Sequence, residues 1–65
     1  MIDPKPNDIW MHSNGILYRV IMLTNMQSKK EKYPPTVVYE TISNGNVWSR
    51  PLSDWHRSMT FVPWP

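Results

Sequence analysis

The chain of 65 residues contains no cysteine. Disulfide bonds and cysteine-based zinc sites are therefore excluded as sources of stability. A domain of this size buries only about 60% of the surface that its unfolded chain exposes, so it is marginal without reinforcement. The reinforcements that remain are self-association and dense aromatic packing, and the sequence supplies four tryptophans. We expect a homo-oligomer.

Other absences exclude further classes of protein. No apolar run approaches the ~20 residues that a membrane-spanning helix needs, and residues 1–8 contain no apolar signal-peptide segment. The lack of cysteine suits a reducing compartment, so we expect a cytoplasmic protein without membrane contact. Two glycines are too few for phosphate-binding or dinucleotide-binding loops, and His12 and His56 lack metal-ligand spacing. We expect no cofactor.

The net charge of +2 comes largely from one short segment that contains Lys29, Lys30 and Lys32. Proteins that bind nucleic acids usually carry a broader basic stripe. The sequence therefore favours a solvated loop, although nucleic-acid binding stays open as a weaker alternative.

Five short segments have the composition of β-strands and are separated by turn signals. They are residues 9–12, residues 16–24, the two arms of a hairpin within residues 36–51, and residues 59–62. Residues 16–24 form the most apolar of them and predict a central strand that is covered on both faces. Its two predicted faces are Ile16, Tyr18, Val20 and Met22 on one side and Leu17, Arg19, Ile21 and Leu23 on the other. Asn14-Gly15 predicts a type I′ turn, and Ser53 predicts the cap of one helical turn over residues 53–56.

We therefore predict an all-β fold, either a small SH3-like barrel or a strongly bent antiparallel sheet of about five strands with one late helical turn. Residues 1–8 form an extended lead-in, residues 9–62 form a single domain, and residues 63–65 form a tail.

The segment Thr36 to Pro51 predicts a β-hairpin. Asn44-Gly45 is read as a two-residue turn, which pairs Ile42 with Val47, Thr41 with Trp48, Glu40 with Ser49 and Tyr39 with Arg50. The same register places Tyr39, Thr41, Trp48 and Arg50 on one face of the hairpin, because side chains alternate along a strand.

Two explanations of that face remain open. Tyr39 and Trp48 can fill the core, with Arg50 packed over a ring. Alternatively the aromatic rings stack on a planar ligand while an arginine holds an anionic group. The predicted ligand-binding residues are Tyr39, Trp48, Arg50, Arg19 and Tyr18. Three further tryptophans either pack the small core or form a partner or oligomer surface; they are Trp10, Trp55 and Trp64.

Catalysis is not expected. Ser53, Asp54 and His56 lie within four residues, and one helical turn cannot arrange them so that a base contacts the nucleophile and a third group orients the base. The sequence therefore favours a protein that binds over one that catalyses.

Five short motifs resemble a small uncharacterised domain family of bacteria, tailed phages and prophages. They are His12 with Asn14-Gly15, Tyr18-x-Val20, Val37-Val38-Tyr39, Val47-Trp48-x-Arg50-Pro51 and Phe61, and together they cover about residues 10–62. Ser49 departs from the apolar residue of the family, and the loop around residues 29–33 is longer. The resemblance implies an SH3-like fold and a bacterial or phage origin, and the family has no established activity.

The sequence thus predicts a phage accessory binding protein that acts in host takeover or counter-defence. In the leading hypothesis it sequesters a small nucleotide-type anion in an aromatic and arginine pocket. In the alternative it binds a host protein through a tryptophan-rich surface as an inhibitor or adaptor.

Overall fold

The structure, a computed structural model, describes residues 2–63, whose strands form one antiparallel five-stranded sheet. The strands are β1 (Ile9–His12), β2 (Leu17–Thr24), β3 (Thr36–Thr41), β4 (Val47–Pro51) and β5 (Met59–Val62). Their order across the sheet is β4-β3-β2-β1-β5, so β4 and β5 are the two edges. The all-β prediction is confirmed, and the sheet is open rather than closed into a barrel. The strand order is consistent with an SH3-like fold.

One face of the sheet carries the core, and Trp55 lies at its centre. This tryptophan follows a 3-10 turn over Leu52–Asp54 and is fully buried. Its indole makes edge-to-face contacts with Trp10, at a centroid distance of 5.6 Å, and with Tyr39, at 5.0 Å. Aromatic pairs in this geometry contribute about 0.5–1.5 kcal/mol beyond the area that they bury. We call this side of the sheet the inner face.

The predicted register of the β3–β4 hairpin is wrong. Tyr39 pairs with Trp48 and Val37 pairs with Arg50, a shift of two residues. The amide of Thr41 donates to the carbonyl of Asn46, which encloses four loop residues instead of two. A type I′ turn needs positive φ at both Asn44 and Gly45, and of the two only Gly45 has it, at 74°. A shift of two preserves the faces, so the predicted grouping of side chains is retained.

The β1–β2 turn also differs from its prediction. The amide of Gly15 donates to the carbonyl of His12, and the amide of His12 donates to the carbonyl of Ile16, so three residues form the loop. Gly15 has φ of 90°, whereas Asn14 has no positive φ. This is the three-residue hairpin in which glycine takes the left-handed position, and β2 begins at Leu17 rather than Ile16.

A β-bulge in β2 exchanges its two faces. Val20 pairs with Tyr39 but Met22 pairs with Val38, so Ile21 is an extra residue between them. Beyond the bulge, Leu23 packs against the core and Met22 is half exposed. The predicted faces of this strand are therefore correct up to Val20 and reversed after it, as a bulge requires. The strand is central, but it is not covered on both sides.

The segment before β1 is a packed part of the domain. Pro4 is fully buried, and residues 5–8 form a turn. The amide of Asp8 donates to the carbonyl of Lys5, and the amide of Lys5 donates to the carboxylate of Asp8. The amide of Asn7 donates to the carbonyl of Val20, next to the bulge. The lead-in is therefore extended only in part.

The helical turn begins one residue earlier than predicted. Its N-cap is Pro51, without a side-chain hydrogen bond, so Ser53 is inside the turn and does not cap it. Within residues 2–63, no helix has the length and apolar character that crossing a membrane requires.

Replacement of Trp55 tests the packing of the inner face. We expect Trp55→Ala to cost about 3–5 kcal/mol, because it leaves a large cavity. A chain of this length has roughly 3–10 kcal/mol of total stability, so the variant should be mostly unfolded or close to it. Trp48→Ala is the matched control: Trp48 is half exposed, and its loss should cost only about 1–2 kcal/mol.

Urea denaturation followed by circular dichroism measures both values. Equal stability losses for the two alanine variants would contradict the central position of Trp55.

Candidate functional site

The inner face brings together four of the five residues predicted to bind a ligand. Tyr39 is buried, and its ring contacts Tyr18 edge to face at 5.1 Å. Trp48, on the edge strand β4, exposes half of its surface. Its indole Nε1 donates to Oγ1 of Thr41 at 2.9 Å, which fixes the ring against the sheet. Tyr39 is therefore a core residue, whereas Trp48 presents an aromatic surface to solvent.

Arg50 lies beside these rings but has an acidic neighbour. Its side chain is 20% exposed, and its Nε lies 4.0 Å from Oδ2 of Asp54. One of its terminal nitrogens, Nη1, is buried and has no acceptor. Asp54 also pairs with Arg57 at 3.0 Å. An anionic ligand would therefore have to compete with Asp54 for a guanidinium that is mostly covered.

Arg19 is separated from the other predicted ligand residues. It projects from the opposite side of the sheet, where its Nε donates to Oε1 of Glu40 on β3 at 3.1 Å. The strand register places Arg19 on β2 directly opposite Glu40 on β3. The prediction that Arg19 joins Trp48 and Arg50 at one site is wrong, because alternate residues of a strand point to opposite faces.

Of the two explanations left open for the other three tryptophans, core packing is the one that holds for two of them. Trp10 is 2% exposed and Trp55 is 0% exposed, so both are core. Neither indole Nε1 has a hydrogen-bond partner, and each such buried donor costs about 1–3 kcal/mol. Trp64 lies outside the described residues.

Burial raises the pKa of the Tyr39 phenol above its ordinary value. The neighbouring Arg50 guanidinium opposes this rise because a cation favours the phenolate, while Tyr18 and Asp54 add to it. The phenol is thus held neutral, as expected for a side chain in the core.

The other side of the sheet, which we call the outer face, is the feature that the sequence interpretation missed. About half of its outward strand positions are apolar, and the polar ones are Arg19, Thr24, Thr36, Glu40, Ser49 and Thr60. The outward apolar residues are Ile9, Met11, Leu17, Met22, Val38, Val47 and Val62. Four of them are at least 39% exposed; these are Met11, Leu17, Met22 and Val47. An antiparallel sheet with one face in water normally alternates apolar and polar residues.

A groove crosses the outer face beside the Arg19–Glu40 ion pair. It has a volume of about 320 Å³ and is lined by Ile9, Leu17, Arg19, Ile42 and Val62. Ile42 comes from the four-residue loop after β3, which lies against β2 because its amide donates to the carbonyl of Leu17. The loop that was predicted as a tight turn thus forms one wall of an apolar groove.

One sequence signal did indicate this surface. Both predicted faces of β2 are mostly apolar, and this was taken to mean burial on both sides. The five strands form only one layer, so a second apolar face has nothing within residues 2–63 to cover it. The same residues contain no cluster of three metal-ligating side chains.

Comparison of the chain with protein-family models, with curated proteins and with solved structures finds no match. The resemblance to a bacterial and phage domain family stays a prediction.

The raised pKa of Tyr39 predicts a pH dependence. The folded phenol holds its proton more tightly than the unfolded one, whose pKa is near 10. The free energy of unfolding is therefore highest below about pH 10 and falls as pH rises toward the folded pKa. We expect this fall to be smaller in Tyr39→Phe, which retains Tyr18 and Tyr33 as internal controls.

Denaturation between pH 8 and pH 11 measures the two slopes. Identical slopes for the two proteins would contradict the assignment to Tyr39.

Proposed function

We propose that this protein is a non-catalytic module that binds another protein through the outer face of its sheet. The observation that supports this most is the apolar character of positions that an uncovered sheet would fill with polar residues. Contiguous exposed apolar patches of more than a few hundred Å² usually mark interaction sites on soluble proteins. Here outward apolar side chains occur on all five strands.

The composition of the outer face suits a protein partner. Methionine side chains adapt their shape to an apposed surface, and the outer face contains Met11 and Met22 at 39% and 50% exposure, with Leu17 between them at 42%. The Arg19–Glu40 pair lies among them. Apolar contacts would supply affinity, while a charge pair within an apolar surface would select the orientation of the partner.

An anion-sequestering pocket has less support. Arg50 is mostly covered and lies beside Asp54, and Arg19 pairs with Glu40 on the far side of the sheet. The four pockets described in residues 2–63 do not include Tyr39, Trp48 or Arg50 among their lining residues. Each of these two cations has a carboxylate neighbour, which offsets part of the positive charge that would attract a phosphate.

A second candidate function rests on Trp48. Its ring is half exposed and is oriented by the hydrogen bond to Thr41, so a planar ligand of the nucleotide type could stack on it. Stacking of a base on an aromatic ring contributes about 1–3 kcal/mol. We also propose a cytoplasmic location and a phage origin with a host target. These three proposals rest on the sequence alone.

Affinity capture with surface variants tests the proposal. The wild-type protein and each variant serve as baits in parallel. The lysate comes from cells that naturally express the protein or, if it is phage-encoded, from the host cells. In Leu17→Glu a charge stands at the groove, and burying it without a partner is costly. We expect the recovery of a bound protein to fall by at least about tenfold, which corresponds to 1.4 kcal/mol. Tyr33→Glu adds the same charge at an exposed site outside the outer face.

Two results would count against the outer face. One is capture that is equal for wild type, Leu17→Glu and Tyr33→Glu. The other is capture of a protein or a small molecule that survives Leu17→Glu but is lost in Trp48→Ala, which would assign the binding to the second candidate. Native mass spectrometry of the eluted bait detects a retained small molecule.

A further inference from the structure

We propose that the partner on the outer face is a second copy of this chain, bound about a two-fold axis that runs parallel to β2 and β3 and midway between them. This inference rests on the proposed function, because it names the partner for the same surface. It is carried by the pairing of outward residues between the two central strands.

The outward residues of β2 lie opposite outward residues of β3. Arg19 pairs with Glu40 and Met22 pairs with Val38. Leu17 lies against Ile42, whose amide donates to the carbonyl of Leu17. The pairs therefore form successive rows across the two strands: an apolar pair, a charged pair, another apolar pair and, at the end of the strands, the polar pair of Thr24 with Thr36.

A two-fold axis between the strands exchanges the members of each row. Arg19 of one copy then faces Glu40 of the other, and each apolar side chain of the flanking rows faces an apolar one. Two-fold interfaces need this self-complementarity, because the same patch serves both subunits. Facing sheets pack with their strands within about 30° of each other, so the correspondence holds near the axis.

The same axis places the most exposed apolar side chain over the groove. Val47 of the edge strand β4 is 61% exposed, and exchange about the axis brings it over Ile9 of the second copy. Ile9 lines the groove of about 320 Å³ together with Leu17 and Val62. A projecting valine thus meets an apolar recess, twice in each dimer.

The size of the face predicts a weak dimer. Five strands spaced ~4.8 Å apart span about 19 Å, and three alternate rows span about 14 Å. The projected area is therefore roughly 300 Å², below the ~800 Å² per partner of standard interfaces. We expect a dissociation constant between about 1 µM and about 1 mM, because interfaces of standard size already extend down to micromolar affinity.

Charge complementation between two variants tests the arrangement. In Arg19→Glu the charged row of each copy contains two acidic side chains, and in Glu40→Arg it contains two basic ones. Each variant alone should dimerise at least about tenfold more weakly than wild type, because like charges face each other. An equimolar mixture should recover dimers to within about threefold of wild type, since every contact between the two chains is then attractive while the pairs inside each chain remain repulsive.

Sedimentation equilibrium from about 1 µM to about 1 mM measures the three dissociation constants. Circular dichroism establishes that each variant is folded. If a charge variant fails to fold, Leu17→Glu provides a second measurement: it should weaken the wild-type dimer by at least about tenfold, and Tyr33→Glu should not. A Leu17→Glu dimer as stable as wild type would overturn the inference.

Two other results would overturn it as well. A wild-type protein that is monomeric throughout the range excludes the second copy, and the proposed function then stands only if Leu17→Glu loses a captured protein. A wild-type dimer without recovery in the mixture places self-association elsewhere, for example at the edge strands β4 or β5.

Discussion

The burial of Trp55 is the interaction on which the rest of the structure depends. A five-stranded sheet needs something to cover its apolar face, and no second sheet or long helix is present in residues 2–63. One indole, delivered by a 3-10 turn between β4 and β5, fills that position. It connects Tyr18 and Tyr39 on one side with Trp10 and Phe61 on the other in a continuous series of edge-to-face contacts.

The small number of elements in this chain also leaves the outer face uncovered. A short chain buries a smaller fraction of its surface than a long one does, and this one uses its loops and its lead-in to complete the inner side, where Pro4 is fully buried. Apolar residues on the outer face are then only partly covered within the monomer. Their presence supports the proposal of a binding surface, and the succession of Leu17–Ile42, Arg19–Glu40 and Met22–Val38 supports the proposal of a second copy as its partner.

Much of the fold follows from local composition. The strands of β1 and β5 and the all-β class were predicted from β-branched residues and turn signals, because these preferences act over a few neighbours. The errors arose where distant contacts decide between local alternatives. Asn44-Gly45 fits a two-residue turn, yet the amide of Ile42 donates to the carbonyl of Leu17 on β2, and a four-residue loop forms instead. Ile21 has no feature that marks it as the extra residue of a bulge.

The candidate site was predictable only in part for the same reason. Period-two alternation grouped Tyr39, Thr41, Trp48 and Arg50 correctly, although it could not say that Tyr39 is buried and Trp48 is half exposed. Placing Arg19 required the β2–β3 register, which depends on pairing between strands that a polar loop separates. Trp10 and Trp55 could not be assigned to core or surface without knowledge of which segment covers the sheet.

Hydrogen exchange at the indole of Trp55 is the most direct measurement of this account. Its Nε1–H is buried and has no acceptor, so only its enclosure protects it from solvent. If Trp55 holds the inner face together, its exchange free energy should equal the global free energy of unfolding obtained by denaturation. The indole of Trp48, at the edge of the sheet, should exchange at lower free energy. Exchange of the Trp55 indole well below the global value would mean that it leaves the core while the sheet stays folded, and this would contradict the account.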